Sequence, residues 1–250
     1  MIVGSDYSSG NVGDNLYDRH SGEYVNFNNE KYRIVSTENN ITKLTRNDIL
    51  RDENTTTTPK TAITKNFAST AYFGKSTNTQ SDNYWDYYLN NNESGGWING
   101  ISATYKNMMV DGIYYLGLYS SNTNYKATIC KDSNLNSVTT KNCTRYPTDP
   151  NTDGYDANKI YIGKVGLPRV GEMFSAQLGG GSSVSSNMWL ITPNGSFVRT
   201  VVSNGYLYSR LPSRDTGGAR PSINLSSEVK IACNSSKCDG TEQYPYDLTM

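Results

Sequence analysis

Apolar and polar residues alternate in three short runs near the start of the chain. In GEYVNF, KYRIVS and ITKLT the pairs Val25 and Phe27, then Tyr32 and Ile34, recur at every second position. That is the period of a strand with one buried face. Turns at Asn28-Asn29 and at Glu38-Asn39-Asn40 separate the runs, so a three-stranded meander is predicted. From Arg51 to Lys65 the segment RDENTTTTPKTAITK has no period and reads as an exposed loop. The spacing then becomes helical, with Tyr84, Trp85, Tyr88 and Leu89 on one face. A second helix is predicted after Ser102, with Tyr105, Met108 and Met109 turned inward and a stop near Asp111-Gly112, where glycine suits a C-terminal cap.

Strands dominate the remainder. IYYLGLYS, KATIC and KIYIGKVGL read as extended, and Pro168 introduces a short helix over RVGEMFSAQ. MWLITP is a strand turned by Asn194-Gly195, while SFVRTVV and YLYSRLP form a hairpin around Ser203-Asn204-Gly205. Ile223, Leu225, Val229 and Ile231 line one buried face of the last long extended stretch. Ahead of it, Gly217 and Gly218 read as a tight backbone corner, and Pro221 belongs at the strand's start or on an edge because it has no ladder donor. The run QLGGGSSVSSN has no lysine and opens no helix, so it is a linker rather than a phosphate loop. Short strands around two or three helices predict a single α+β domain over residues 22–250, preceded by a flexible segment, residues 1–21.

Composition narrows the function classes. Only 35% of the 250 residues are hydrophobic, and 20 Tyr stand against 5 Phe. Tyrosine buries a ring while keeping a polar tip, so such a chain builds a core and still presents adhesive, wettable surface. Net charge is zero with no basic run, which argues against nucleic acid as a partner. No apolar run reaches membrane-spanning length, and residues 1–20 are too polar for a signal peptide.

Four cysteines bear on the compartment. Cys130 and Cys143 bracket one polar loop, Cys233 and Cys238 another. Neither pair has CxxC spacing and the sole histidine, His20, is distant, so no metal site is expected from them. More than one pairing is formally open; the sequential one is expected, as two local staples of a protein outside the reducing cytosol. With a single histidine, a Ser-His-Asp arrangement lacks its base. Asp82 with Asp86, or Asp149 with Asp153, offer paired acids whose ordinary reading is solvated surface. The oxygen-rich stretch from Asp149 to Asn158 has ligand chemistry for calcium but lacks the closing glutamate of an EF-hand loop; no other cofactor is indicated.

Five ordered blocks carry a family resemblance. GEYVNFNNEKYRIVS is similar to the opening hairpin of a secreted domain family common in Gram-positive gut bacteria, and YLNNNESGGWING with YKNMMVDGIYYLG resembles its helical section. IGKVGLP, then MWLITP, then GGARPSINLSSEVKI and CDGTEQYPYDL resemble its C-terminal signature, so the likeness spans residues 22–249. It implies a C-type-lectin-like fold related to the formylglycine-generating-enzyme group, displayed on the cell surface beyond an N-terminal membrane or pilin-type helix that is missing here. It further implies that the last long strand runs beside the strand of Trp189, with Arg220 as a buried clamp held by a carboxylate or backbone carbonyls. An arginine gripping a ligand carboxylate is the functional alternative for Arg220. The enzyme branch needs reactive cysteines in an open site; here both pairs are assigned to staples, so catalysis is not carried over.

From Leu190 to Ser227 the chain has no Lys, Glu, Gln, Met or Trp, and every residue present has a codon ending in a pyrimidine. Some C-type-lectin-like surface proteins diversify such a region by retroelement. On this basis Arg199, Asn204, Tyr206, Tyr208, Arg210 and Arg214 are the candidate binding face, and Tyr and Arg are the residues that dominate binding hot spots. The expected function is an extracellular, non-enzymatic adhesin-like or pilus-associated domain that binds a host or bacterial surface protein or a glycan. A structural pilus or surface-layer subunit and a formylglycine-generating-type enzyme are the alternatives.

Overall fold

A computed structural model of the protein describes residues 9–56, 60–68, 73, 84–115, 160–176, 187–194, 196–202 and 206–250. It begins with the meander: β1 (Tyr24–Phe27), β2 (Glu30–Glu38) and β3 (Ile41–Arg46), antiparallel neighbours in that order. Each hairpin closes through two asparagines of positive φ, Asn28 (51°) with Asn29 (64°) and Asn39 (51°) with Asn40 (61°). Two successive left-handed residues form the turn whose twist matches the flanking strands, and asparagine enters that region more readily than other residues with a Cβ.

Helix α1 (Tyr84–Asn90) buries Trp85 and Leu89, as its spacing predicts, and α2 (Ala103–Met108) starts after Ser102. Strands β4 (Met109–Val110), β5 (Gly112–Tyr115), β6 (Ile160–Gly163) and β7 (Val165–Gly166) lead to helix α3 (Val170–Ser175). The C-terminal part holds β8 (Met188–Asn194), β9 (Phe197–Val201), β10 (Leu207–Arg210), β11 (Ser222–Leu225), β12 (Lys230–Ala232) and β13 (Asp247–Thr249). The largest sheet runs β1-β2-β3-β11-β4 with β7 also on β11; a second runs β10-β9-β8, and β5-β6 and β12-β13 are separate pairs. The paired strands are antiparallel throughout, and with three helices the protein is α+β among the described residues. None of these helices is long and apolar enough to cross a membrane.

Several expectations change. The second helix stops at Met108 rather than Asp111-Gly112. Met109 turns extended (φ −83°, ψ 134°) and pairs with Leu225, so long-range pairing to β11 overrides the local helical pattern. The stretch from Arg51 to Lys65 is not simply a loop on the surface: Arg51 bridges Ala62, and Lys65 bridges Gly217. Residues 9–21 are not a loose lead. Leu16 is fully buried in the main core, Asn15 bridges Lys230, and Gly10 N donates to the Tyr246 hydroxyl at 2.8 Å. One apolar side chain in a polar stretch is enough to anchor it.

The strand of Trp189 is not a neighbour of β11, which pairs with β3, β4 and β7. Trp189 N donates instead to Gly218 O at 2.9 Å, ahead of that strand. Pro221 sits just before β11, as its missing donor requires, and its carbonyl accepts from Arg46 N at 2.9 Å. The main core gathers around Trp85, Trp189, Phe27, Tyr32 and Ile223. A second cluster joins Met188, Leu190 and Val201 of the smaller sheet to Val170 and Met173 of α3, with Val35 and Ile49.

Candidate functional site

The hairpin of β9 and β10 carries most of the expected binding face. Tyr208 lies opposite Thr200 and Arg210 opposite Val198, so these side chains share one side of the sheet. Tyr206, two residues before Tyr208, accepts from Val202 N through its carbonyl (3.0 Å) and extends the same row. Tyr206 is 65% exposed and Tyr208 50%. Tyr24, Tyr32, Tyr114 and Tyr246 are buried, so exposure is not the general fate of tyrosine in this chain. Arg210 is half-buried and lies 3.9 Å from the Asp215 carboxylate, while Arg214 is exposed in the turn that follows. Strand β10 is an edge: among the described strands it pairs with β9 alone.

Arg199 does not belong to this row. It is half-buried opposite Ser209, and the two-residue period places it on the other side of the sheet from Tyr208. Asn204 lies outside the described residues. So do Cys130, Cys143, Asp82 and the stretch from Asp149 to Asn158 proposed for calcium. Cys233 and Cys238 are bonded as the local staple expected of them. Asp86 is buried and accepts from Asn90 Nδ2 at 3.0 Å; Asn90 also bonds both Val165 O and N, so this carboxylate helps dock α1 on β7. Among the described residues no group of His, Cys, Asp and Glu is arranged to hold a metal ion.

Of the residues assigned to structure, Trp189 is fully buried and its Nε1 donates to Lys65 O at 2.9 Å. Gly217 and Gly218 do not have the left-handed backbone that a corner reading implies. Gly217 matters for space instead: a Cβ there would lie 2.9 Å from Trp189 Nε1 and 3.0 Å from Asn187 O. Gly218 has no such constraint, its nearest neighbours being Ile49 atoms at 3.5–3.6 Å. Arg220 is 3% exposed. Burial pushes its pKa down to about 10, Asp48 opposes that shift, and Arg33 and Arg46 add to it. The guanidinium is therefore buried, as the clamp reading expects, with the Asp48 carboxylate acting on it electrostatically.

No sequence motif announces a second polar site, on the large sheet. Ile34 of β2 faces Leu44, yet the next paired residue is Ser36, facing Lys43, so Val35 is an extra residue in a bulge. Strict alternation from Ile34 would send Ser36 and Glu38 to the core side. The bulge turns both to the Lys43 side and leaves Val35 to the second cluster. Glu172 of α3 meets Lys43 there, Oε1 to Nζ 2.8 Å, with Arg169 Nε 3.4 Å from the same oxygen. Burial pushes the Glu172 carboxyl up, but Lys43 and Arg169 outweigh it and hold its pKa below the ordinary value. Glu38 gains less from the same cations. Burial dominates and lifts its carboxyl to about 8, so at neutral pH Glu172 is ionised and Glu38 carries its proton. The one trace of this in the sequence is Lys43 itself, a charge at the centre of the strand ITKLT.

A pH profile checks the Glu38 environment. The unfolded chain releases this proton first, so unfolding free energy falls as pH rises from about 4.5 to about 8. Solvent reaches the half-buried carboxyl, which keeps the slope modest. Glu38→Gln flattens this part of the profile in urea midpoints; an identical slope in the variant would show that Glu38 does not cause it.

Comparison of the chain with protein-family models, with curated proteins and with solved structures gives no match.

Proposed function

We propose that the chain is an extracellular, C-type-lectin-like binding domain, adhesin-like or pilus-associated, whose contact surface is the β10 edge of the smaller sheet. Tyr206 and Tyr208 anchor that surface, and Arg210 and Arg214 flank them. The observation that carries the reading is two neighbouring tyrosines exposed on a strand edge, while four others among the described residues are buried. Large, stiff amphipathic rings beside guanidinium groups supply contact area at low entropic cost, which is what binding surfaces use most. The Cys233–Cys238 staple suits an oxidising compartment, and the mixed antiparallel architecture is compatible with the lectin-like reading. The partner is a host or bacterial surface protein or a glycan.

Screening the protein on combined protein and glycan arrays, beside Tyr206→Ser/Tyr208→Ser, tests this. The expected result is a partner whose affinity drops by about tenfold or more in the variant. Thermal stability should stay within about 0.5 kcal/mol, because both rings are exposed. Equal binding by both proteins would refute the assignment of the surface. Polymers that grow with concentration on a sizing column, without array binding, would favour a structural subunit instead.

A further inference from the structure

The polar site on the large sheet is also a cavity, of about 270 Å³. Its floor is a row across three strands: Ser36 on β2 faces Lys43 on β3, and Lys43 faces Asn224 on β11. Arg169 and Glu172 close one side, and Asp111, Gly112 and Ile113 another. An amine and a carboxamide thus stand opposite each other on adjacent strands, with the Glu172 carboxylate on the amine.

The geometry favours their meeting. Residues paired across antiparallel strands share a face, with Cα atoms about 4.5–5.5 Å apart, and a lysine side chain is longer than that gap. Both groups lie against Tyr114: Lys43 Nζ is 4.2 Å from the ring centre, and the Asn224 amide is within hydrogen-bonding reach of the hydroxyl. That hydroxyl donates to Ser222 O at 2.8 Å, which fixes the ring. The carboxamide is held as well, because Gly112 packs on it so closely that a Cβ there would fall 2.3 Å from Asn224 Cγ. Lys43 and Asn224 are both buried. Rotation about the lysine's own side-chain bonds, with both strands in place, carries Nζ towards Cγ.

We infer that Lys43 and Asn224 join in an intramolecular isopeptide bond, Nζ to Cγ, with Glu172 carrying the protons. Glu172 Oε1, 2.8 Å from Nζ, takes one proton from the ammonium. The freed electron pair of the amine attacks Cγ, and the carbonyl π electrons move to Oδ1. They return as the Cγ–Nδ2 bond breaks, while Glu172 passes its proton to the departing nitrogen and takes the second one from Nζ. Ammonia leaves through the cavity and carries that last proton into water as ammonium. Glu172 is then a carboxylate again and keeps Arg169 as its countercharge, Nε at 3.4 Å. A primary amide hardly reacts with an amine in water. Positioning is worth effective concentrations of about 10⁵–10⁸ M, and a placed proton carrier about 10²–10⁴-fold. The ion pair is the starting state, so freshly folded protein retains it and the bond accumulates with time. The product exchanges a buried lysine charge for a neutral amide and ties β3 to β11, 181 positions apart (224 − 43). The site is separate from the tyrosine edge and stands whether or not that edge binds anything.

Intact-mass spectra taken during incubation at about pH 9, which frees more of the amine, test the inference. The mass should fall by one ammonia in a growing fraction of molecules. Trypsin should then release residues 34–46, uncut after Lys43, joined to residues 215–230. Lys43→Arg keeps a cation opposite Glu172 but should form no link, and neither should Asn224→Ala. Glu172→Gln keeps both partners and should slow the bond about a hundredfold. Asn-Gly pairs such as Asn99-Gly100 also lose ammonia, by closing to a succinimide, but that loss persists in Lys43→Arg and joins no peptides. The joined pair in the parent decides the matter if a variant does not fold. The inference is overturned if the folded parent loses no ammonia, if Lys43→Arg loses it as fast, or if the two peptides are released unjoined.

Discussion

Lys43→Met is expected to lower the unfolding free energy by about 3 kcal/mol, and adding Glu172→Leu to recover most of the loss. Lys43 and Glu172 side chains are 7% and 3% exposed, with Nζ and Oε1 2.8 Å apart. Removing the lysine leaves a carboxylate buried with less than its full complement of countercharge, a change that costs about 3–5 kcal/mol in such pairs. The lower end applies because Glu172 keeps Arg169 at 3.4 Å and accepts from Arg169 N at 2.9 Å, the reach-back of a third helical residue to the residue that caps its helix. The double variant removes the stranded charge, and an apolar pair of similar volume is often neutral by comparison. The acid limb gives the sign. The depressed pKa of Glu172 contributes stability above its ordinary pKa and loses it as pH falls, so parent and Lys43→Met should converge in acid. Urea midpoints with unchanged slopes measure both effects. A single variant within about 1 kcal/mol of the parent would mean that the pair is solvated.

Much of the local structure was legible because its causes are local. The two Asn-Asn turns needed only a residue tolerant of positive φ between alternating runs, and α1 needed only Trp85 and Leu89 four residues apart. Burial of Arg220 beside the strand of Trp189 came from the family resemblance and not from a local pattern, and both side chains are buried. The lost parts depend on partners far away in sequence. Met109 looked helical until β11 offered it an edge, and Leu16 looked like part of a polar lead until the core closed over it. Face assignments failed where register decides them: Arg199 was grouped with Tyr208, yet pairing with Ser209 sends it to the opposite side. The polar cavity was the least legible feature. Its floor joins Ser36, Lys43 and Asn224 across 188 positions of sequence (224 − 36), through a bulge at Val35 that no two-residue period can count.

Trp189→Ala should be the other severe substitution, with a loss of about 3–5 kcal/mol. The indole is fully buried against Phe67, ring centres 5.5 Å apart, and its Nε1 satisfies Lys65 O. Alanine leaves a cavity and removes one of the two hydrogen bonds to Lys65 O, which still accepts from Gly217 N at 3.0 Å, and the Lys65–Gly217 bridge loses its packing. The glycine next to that bridge tests whether the ring is the wedge. Gly217→Ala would push a methyl within 2.9 Å of Nε1 and should cost about 1–3 kcal/mol, whereas Gly218→Ala, with nothing nearer than 3.5 Å, should stay within about 0.5 kcal/mol. Once the indole is gone most of the clash at Gly217 is gone too, although Asn187 O remains at 3.0 Å. The two losses should therefore be less than additive by about 1 kcal/mol in a double-mutant cycle. Strict additivity would place the ring elsewhere, and equal costs at Gly217 and Gly218 would return both glycines to a backbone role that their φ angles do not require.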